Sequence, residues 1–179
     1  YTENSTIDAG SITMAADDAV TIKLGSGTDV DTLIYTGTAK ATVTGFDVDE
    51  DLLNFDDVSA VISGTNGASA VGAAAAVTDG NTYVIADGST TNKTGGSEAI
   101  ADYTDKTDVA AYLNERYTLN DDSDEAVFVI NDTVGEMTYA YHYVEVGAAG
   151  ANLNTIAAAD LTIIGVITEE SGAVIDVDD

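Results

Sequence analysis

Cysteine is absent, and with it go disulfides, thiol nucleophiles and thiolate metal sites. Proline is absent too, so turns must be made by Gly, Asn and Asp, and no strand edge carries a proline guard. The single histidine, His142, cannot build a zinc or iron centre alone, and between Tyr141 and Tyr143 it reads as a surface strand residue rather than a catalyst. Basic residues number five, Lys23, Lys40, Lys93, Lys106 and Arg116, against 32 acids, giving a formal charge of -27 over 179 residues. Nucleic-acid binding needs clustered cations that release counterions, so that class is excluded, and an anionic membrane surface is disfavoured for the same reason. The longest apolar stretches, 71–77 and 163–167, fall far short of the roughly 20 residues of a spanning helix, so no membrane insertion is expected.

What is present is enough apolar matter for a core. Hydrophobic residues make up 45% and mean hydropathy is +0.07, whereas disorder needs low hydrophobicity as well as high charge. The residual problem is self-repulsion, which bound cations or salt relieve. Tyrosine supplies nine aromatics against three phenylalanines, a composition that suits half-exposed strand faces and contact surfaces. The chain starts at Tyr1 rather than Met, which implies a removed leader or a piece of a longer protein. With the acidity and the missing cysteine, this fits a bacterial or archaeal protein that is extracellular or at the cell surface. A salt-filled cytoplasm selects the same surface.

Seven runs rich in Val, Ile, Thr and Tyr and bounded by Gly, Asn or Asp read as strands: 19–24 (AVTIKL), 31–35 (DTLIY), 41–46 (ATVTGF), 82–86 (TYVIA), 126–130 (AVFVI), 137–146 (MTYAYHYVEV) and 161–168 (LTIIGVIT). In the sixth, Met137, Tyr139, Tyr141 and Tyr143 share one face, a tyrosine ladder that is either a core edge or a contact surface. One helix is expected in DVAAYLNERY, capped by Asp105 or Thr107, with acid early and Arg116 late, and a short helical turn at 154–159. The Gly/Ala-rich segment 64–80 reads as a loop or a loose helix, and 88–96 as a loop. The expected fold is mainly β, an antiparallel β-sandwich or β-roll with one short helix. Residues 1–18 form an N-terminal arm suited to strand exchange with a neighbour, and 19–179 a single β-rich domain.

The acids group at 25–31 (GSGTDVD), 47–51 (DVDED), 120–125 (NDDSDE) and 176–179 (DVDD). Calcium takes six to eight hard oxygen ligands, which short Asp/Gly turns supply, and the first two groups have that form without the EF-hand spacing. The last two read as solvated loops. Catalytic signatures are missing: no GxSxG elbow, Walker loop or GxGxxG is present, and among so many acids some facing carboxylate pair always looks plausible.

LGSGTDVDTLIYTG at 24–37, followed by ATVTGFDVDEDLLNF at 41–55, resembles the glycine/aspartate turn, DT-aromatic strand and D-x-L-x-F pattern in the carboxy-terminal regions of RTX-type calcium-binding proteins exported by type I secretion, including surface-layer proteins and adhesins. GNTYVIADG at 80–88, AVFVIND and the closing IAAADLTIIGVIT are similar to later strands of those regions. Gly45 stands where that pattern usually has an acid. The resemblance implies a calcium cofactor held by Gly27, Asp29 and Asp31 and by Asp47, Asp49 and Asp51, together with export and assembly at the cell surface.

The leading expectation is therefore a non-enzymatic, secreted structural protein that self-assembles into a surface layer, filament or adhesive matrix, with itself as partner. The alternative is a calcium-containing module that binds cell-surface polysaccharide, stacking sugars on exposed Tyr139, Tyr141 and Tyr143. A hydrolase comes third and requires two facing carboxylates in a deep pocket.

Overall fold

A computed structural model describes residues 6–8, 19–24, 31–34, 40–47, 51–54, 75–77, 81–85, 99–119, 125–132, 134–145 and 155–169. In chain order these form β1 (Thr6–Asp8), β2 (Ala19–Lys23), β3 (Thr32–Ile34), β4 (Lys40–Phe46), β5 (Leu52–Asn54), β6 (Ala75–Ala76), β7 (Asn81–Ile85), α1 (Lys106–Asn114), β8 (Tyr117–Thr118), β9 (Glu125–Asp132), β10 (Met137–Val144), a 3-10 turn η1 (Ala158–Asp160) and β11 (Leu161–Glu169). The protein is mainly β, with a single α-helix among the described residues. The main sheet has six strands in the order β2-β4-β11-β10-β9-β7, beside a three-stranded sheet β1-β3-β5 and a two-stranded one, β6-β8.

Antiparallel pairing, the main mode expected, holds at the centre, where β10 lies antiparallel to both β9 and β11. The flanks correct that expectation: β2 with β4, β4 with β11 and β7 with β9 are all parallel, as are both pairs of the smaller three-stranded sheet. A short turn joins β9 to β10, so they form a hairpin. Parallel neighbours need a crossover, and here β3 supplies it by leaving for the second sheet between β2 and β4. From β1 to β5 successive strands thus alternate between the three-stranded sheet and the main sheet. The described part of the 1–18 arm, β1, pairs with β3 of its own chain, Thr6 opposite Thr32.

On β2 and β4 the burial alternates with the pleat. Ile22, Leu24, Ala41, Val43 and Phe46 are buried, while Thr21 and Lys23 are exposed. On β9 and β10 it does not alternate, since 126–131 and 138–143 are buried on both faces. That double burial explains the uninterrupted apolar run AVFVI. One face carries Phe128, Ile130, Tyr139, Tyr141 and Tyr143, which join Val109, Tyr112 and Leu113 of α1 in one core. The tyrosine ladder is consequently interior to the fold, not a contact surface, and Tyr143 is 0% exposed.

Helix α1 starts where its cap predicts. The Asp105 carboxylate accepts the Thr107 N–H at 2.8 Å, satisfying a donor that the first turn leaves open. Asn114 then clamps the far end, donating from its amide to the Ile156 carbonyl at 2.8 Å and accepting the Ile156 N–H at 2.7 Å. The Tyr141 hydroxyl donates to the Tyr103 carbonyl, and Lys106 Nζ donates to the Leu161 carbonyl at 3.1 Å. The helical turn expected at 154–159 is the 3-10 turn at Ala158–Asp160. Ala75–Ala76, expected in a loop or helix, is a short strand against Tyr117–Thr118. Apart from 75–77, the segment 64–80 lies outside the described residues, as does all of 88–96.

A candidate metal-binding corner

Asp31 and Asp51 each stand immediately before a strand, β3 and β5, and Thr32 pairs with Leu52. The two acids therefore occupy equivalent corners of consecutive parallel strands, 20 residues apart. Asp51 Oδ1 accepts the Asp31 N–H at 2.9 Å and Oδ2 accepts the Asp47 N–H at 2.9 Å. The Asp51 N–H in turn donates to the Asp47 carbonyl at 2.7 Å, closing the 47–51 turn. One buried carboxylate thus staples the turn after β4 to the start of β3. Bonds from neutral donors to a carboxylate are the stronger kind, about 1.5–3 kcal/mol each.

Of the six candidate metal residues, the structure brings together three, Asp31, Asp47 and Asp51. Gly27, Asp29 and Asp49 lie outside the described residues. Among the described residues no group of three or more acids and histidines is arranged to hold a metal ion. Each Asp51 oxygen has a second lone pair beyond the one its amide occupies, so a cation at this corner can share the carboxylate without displacing the staple.

Gly45, just upstream, has a backbone reason for being glycine. It sits at φ +76°, and a Cβ placed there would stand 3.0 Å from the Leu24 carbonyl oxygen. The β11–β4 register skips it, Thr168 pairing with Thr44 and Glu169 with Phe46, so it is the extra residue of a bulge.

The remaining chemistry-bearing side chains are built into the fold. His142, expected on the surface, is buried, with Nε2 2.7 Å from Glu125 Oε1. Further along the hairpin, Thr138 and Asn131 face each other across β10 and β9 and share a 2.7 Å side-chain hydrogen bond. Arg116 is buried beyond the end of α1, its Cζ 3.5 Å from the Tyr112 ring centroid. Tyr117 packs edge-on to Tyr83 at 5.1 Å and against Phe128 at 5.1 Å. Burial first, and Tyr112 and Tyr83 second, push the Tyr117 hydroxyl well above the ordinary tyrosine range. Burial does the same to Tyr141, with Tyr139 adding to it.

No family model, curated protein or solved structure matches the chain. No helix among the described residues is long and apolar enough to cross a membrane.

Proposed function

We propose that the protein is a secreted structural subunit that self-assembles at the cell surface, as a layer, filament or adhesive matrix, with calcium holding its acidic turns. The observation that carries this reading is the corner at Asp31, Asp47 and Asp51. A parallel winding whose turns converge on one carboxylate is a scaffold in which each bound cation ties successive strands together. The resemblance to RTX-type secreted proteins points the same way. Carbohydrate binding loses its stated basis, because Tyr139, Tyr141 and Tyr143 are core residues.

The test is the purified protein with calcium or with EDTA, read by electron microscopy and thermal melting. A ligand that binds only the folded state raises stability by mass action, so EDTA lowers the melting temperature and dissolves assemblies. Unchanged melting and a monomer in both buffers at low salt overturn the proposal, and the charge then stands as salt adaptation.

A further inference from the structure

The main sheet ends on β2 at one side and on β7 at the other. The β7 side is closed, since Thr82, Tyr83 and Ile85 are buried on both faces of the strand. β2 differs. Leu24 N–H donates inward to the Thr44 carbonyl at 2.9 Å, and the Ile22 carbonyl faces the Thr44 hydroxyl. Main-chain groups alternate sides along a strand, so those of Ala19, Thr21 and Lys23 point away from β4. Thr21 and Lys23 are exposed, and among the described residues none bonds to that side of the strand. Such an edge is a template for a further strand.

The charge pattern of β2 selects the partner. The strand reads AVTIK, is preceded in sequence by Asp17 and Asp18, and ends on Lys23, one of five cations in a chain of net charge -27. A lysine on an edge ordinarily guards it against pairing. Laid parallel and level, a second β2 sets Lys23 beside Lys23, and the guard holds. Laid antiparallel about Thr21, it sets Lys23 opposite Ala19 of the second copy, at the end of the strand that Asp17 and Asp18 precede. The guard then becomes an attraction, made twice by symmetry. This register also opposes outward residue to outward residue along the whole strand: Thr21 to Thr21 and, twice, Ala19 to Lys23. Each such pair exchanges two main-chain hydrogen bonds, about six in all.

We infer that β2 is a two-fold interface at which a second copy of this chain pairs antiparallel, centred on Thr21, merging two six-stranded sheets into one continuous sheet. An isologous contact closes at two copies, so the dimer goes beyond the assembly reading and needs no calcium.

The experiment uses the full chain in EDTA at about 0.15 M salt, where screening over about 8 Å silences distant like charges and leaves the Lys23 contact. Sedimentation equilibrium gives the dissociation constant. Thr21→Pro removes the outward N–H behind both central bonds and leaves the β4 ladder intact, as proline is tolerated on edge strands. Wild-type circular dichroism is expected, with a dissociation constant raised about tenfold or more. Lys23→Glu puts an acid beside acids and weakens the dimer as well. Thr21→Cys places the chain's sole cysteine on the two-fold axis. Residues opposed in such a pair stand about 5.5 Å apart at Cα, within the span of a disulfide, so mild oxidation cross-links this variant far faster than Val134→Cys on the exposed β9–β10 turn. Should proline disturb the fold, Lys23→Glu and Thr21→Cys decide, because both alter exposed side chains only. A monomeric wild type, variant dimers of wild-type affinity, or Thr21→Cys cross-linking no faster than Val134→Cys overturns the contact. Larger assemblies in calcium from chains monomeric in EDTA leave the assembly reading standing without this contact; dimers in EDTA with nothing larger in calcium do the reverse.

Discussion

Replacing Asp51 with alanine removes the acceptor for two amides at once. The Asp31 N–H is buried, since Asp31 is 4% exposed, and water cannot reach it in the folded chain. The Asp47 N–H is only part-buried and can be solvated after a small opening of the turn. A charge-assisted bond contributes about 1.5–3 kcal/mol, and an orphaned buried donor costs about 1–3 kcal/mol. One full loss and one partial loss give roughly 2–4 kcal/mol. For a chain of this size each kcal/mol shifts the melting temperature by about 2–4 °C, so Asp51→Ala melts roughly 4–16 °C lower. The assay is thermal melting in EDTA with enough salt to screen the surface charge, because that condition isolates the amide staple from any bound cation. In calcium the deficit widens if Asp51 is also a ligand. Asp51→Asn keeps one acceptor oxygen but turns an NH2 towards the other amide, so it falls between wild type and alanine. A melting temperature for Asp51→Ala within about 2 °C of wild type in EDTA, less than one kcal/mol, refutes the staple.

Gly45→Ala forces a β-carbon into a left-handed backbone position that costs about 1–2 kcal/mol for an L-residue and also crowds the Leu24 carbonyl; urea unfolding should show a loss of about 2 kcal/mol, and wild-type stability would mean the bulge is absent. Asn114→Ala breaks the two-bond clamp to Ile156 and lowers stability by about 1–3 kcal/mol, with amide exchange accelerating first in α1; uniform exchange across the sheet and helix would count against the clamp. Tyr117 and Tyr141 have folded values raised above the ordinary tyrosine value near 10, so the folded state holds protons that the unfolded state gives up. Their contribution is present in full below pH 10 and is lost as pH rises above it. Absorbance at 295 nm should therefore show two tyrosines that ionise only together with alkaline unfolding, and smooth titration of all nine without unfolding would contradict their burial.

The strands that could be read from the chain were those whose own composition forces them. The seven runs of Val, Ile, Thr and Tyr are β2, β3, β4, β7, β9, β10 and β11, and the one capped helix is α1. The short strands β1, β5, β6 and β8 escaped, being two or three residues long and extended only because a neighbour pairs with them. Strand direction was illegible for a related reason: period-two alternation is the same whether the partner runs parallel or antiparallel. What could have signalled the winding is DTLI at 31–34 returning as DLLN at 51–54, an acid before three strand residues. The preceding step, Thr6 to Thr32, is longer, so no fixed period announces it.

The same contrast runs through the candidate corner. Acidic turns at 25–31 and 47–51 were visible as oxygen-rich loops, but which acid serves the backbone depends on the stacking of one coil on another. Asp31 and Asp51 look alike in sequence, each one residue before a strand. Because Asp51 lies on the later coil, with its own turn folded back on it, its carboxylate meets two amides, and that of Asp31 is not the acceptor in either bond. The tyrosines invert the lesson. Period-two alternation puts Tyr139, Tyr141 and Tyr143 on one face, yet whether that face meets water, a sugar or a helix is decided by α1, some 30 residues upstream in the chain and held there by Asn114, Lys106 and the Tyr103 carbonyl. A short helix that packs Val109, Tyr112 and Leu113 against that face, and is held by hydrogen bonds at both ends, converts an apparent binding face into core.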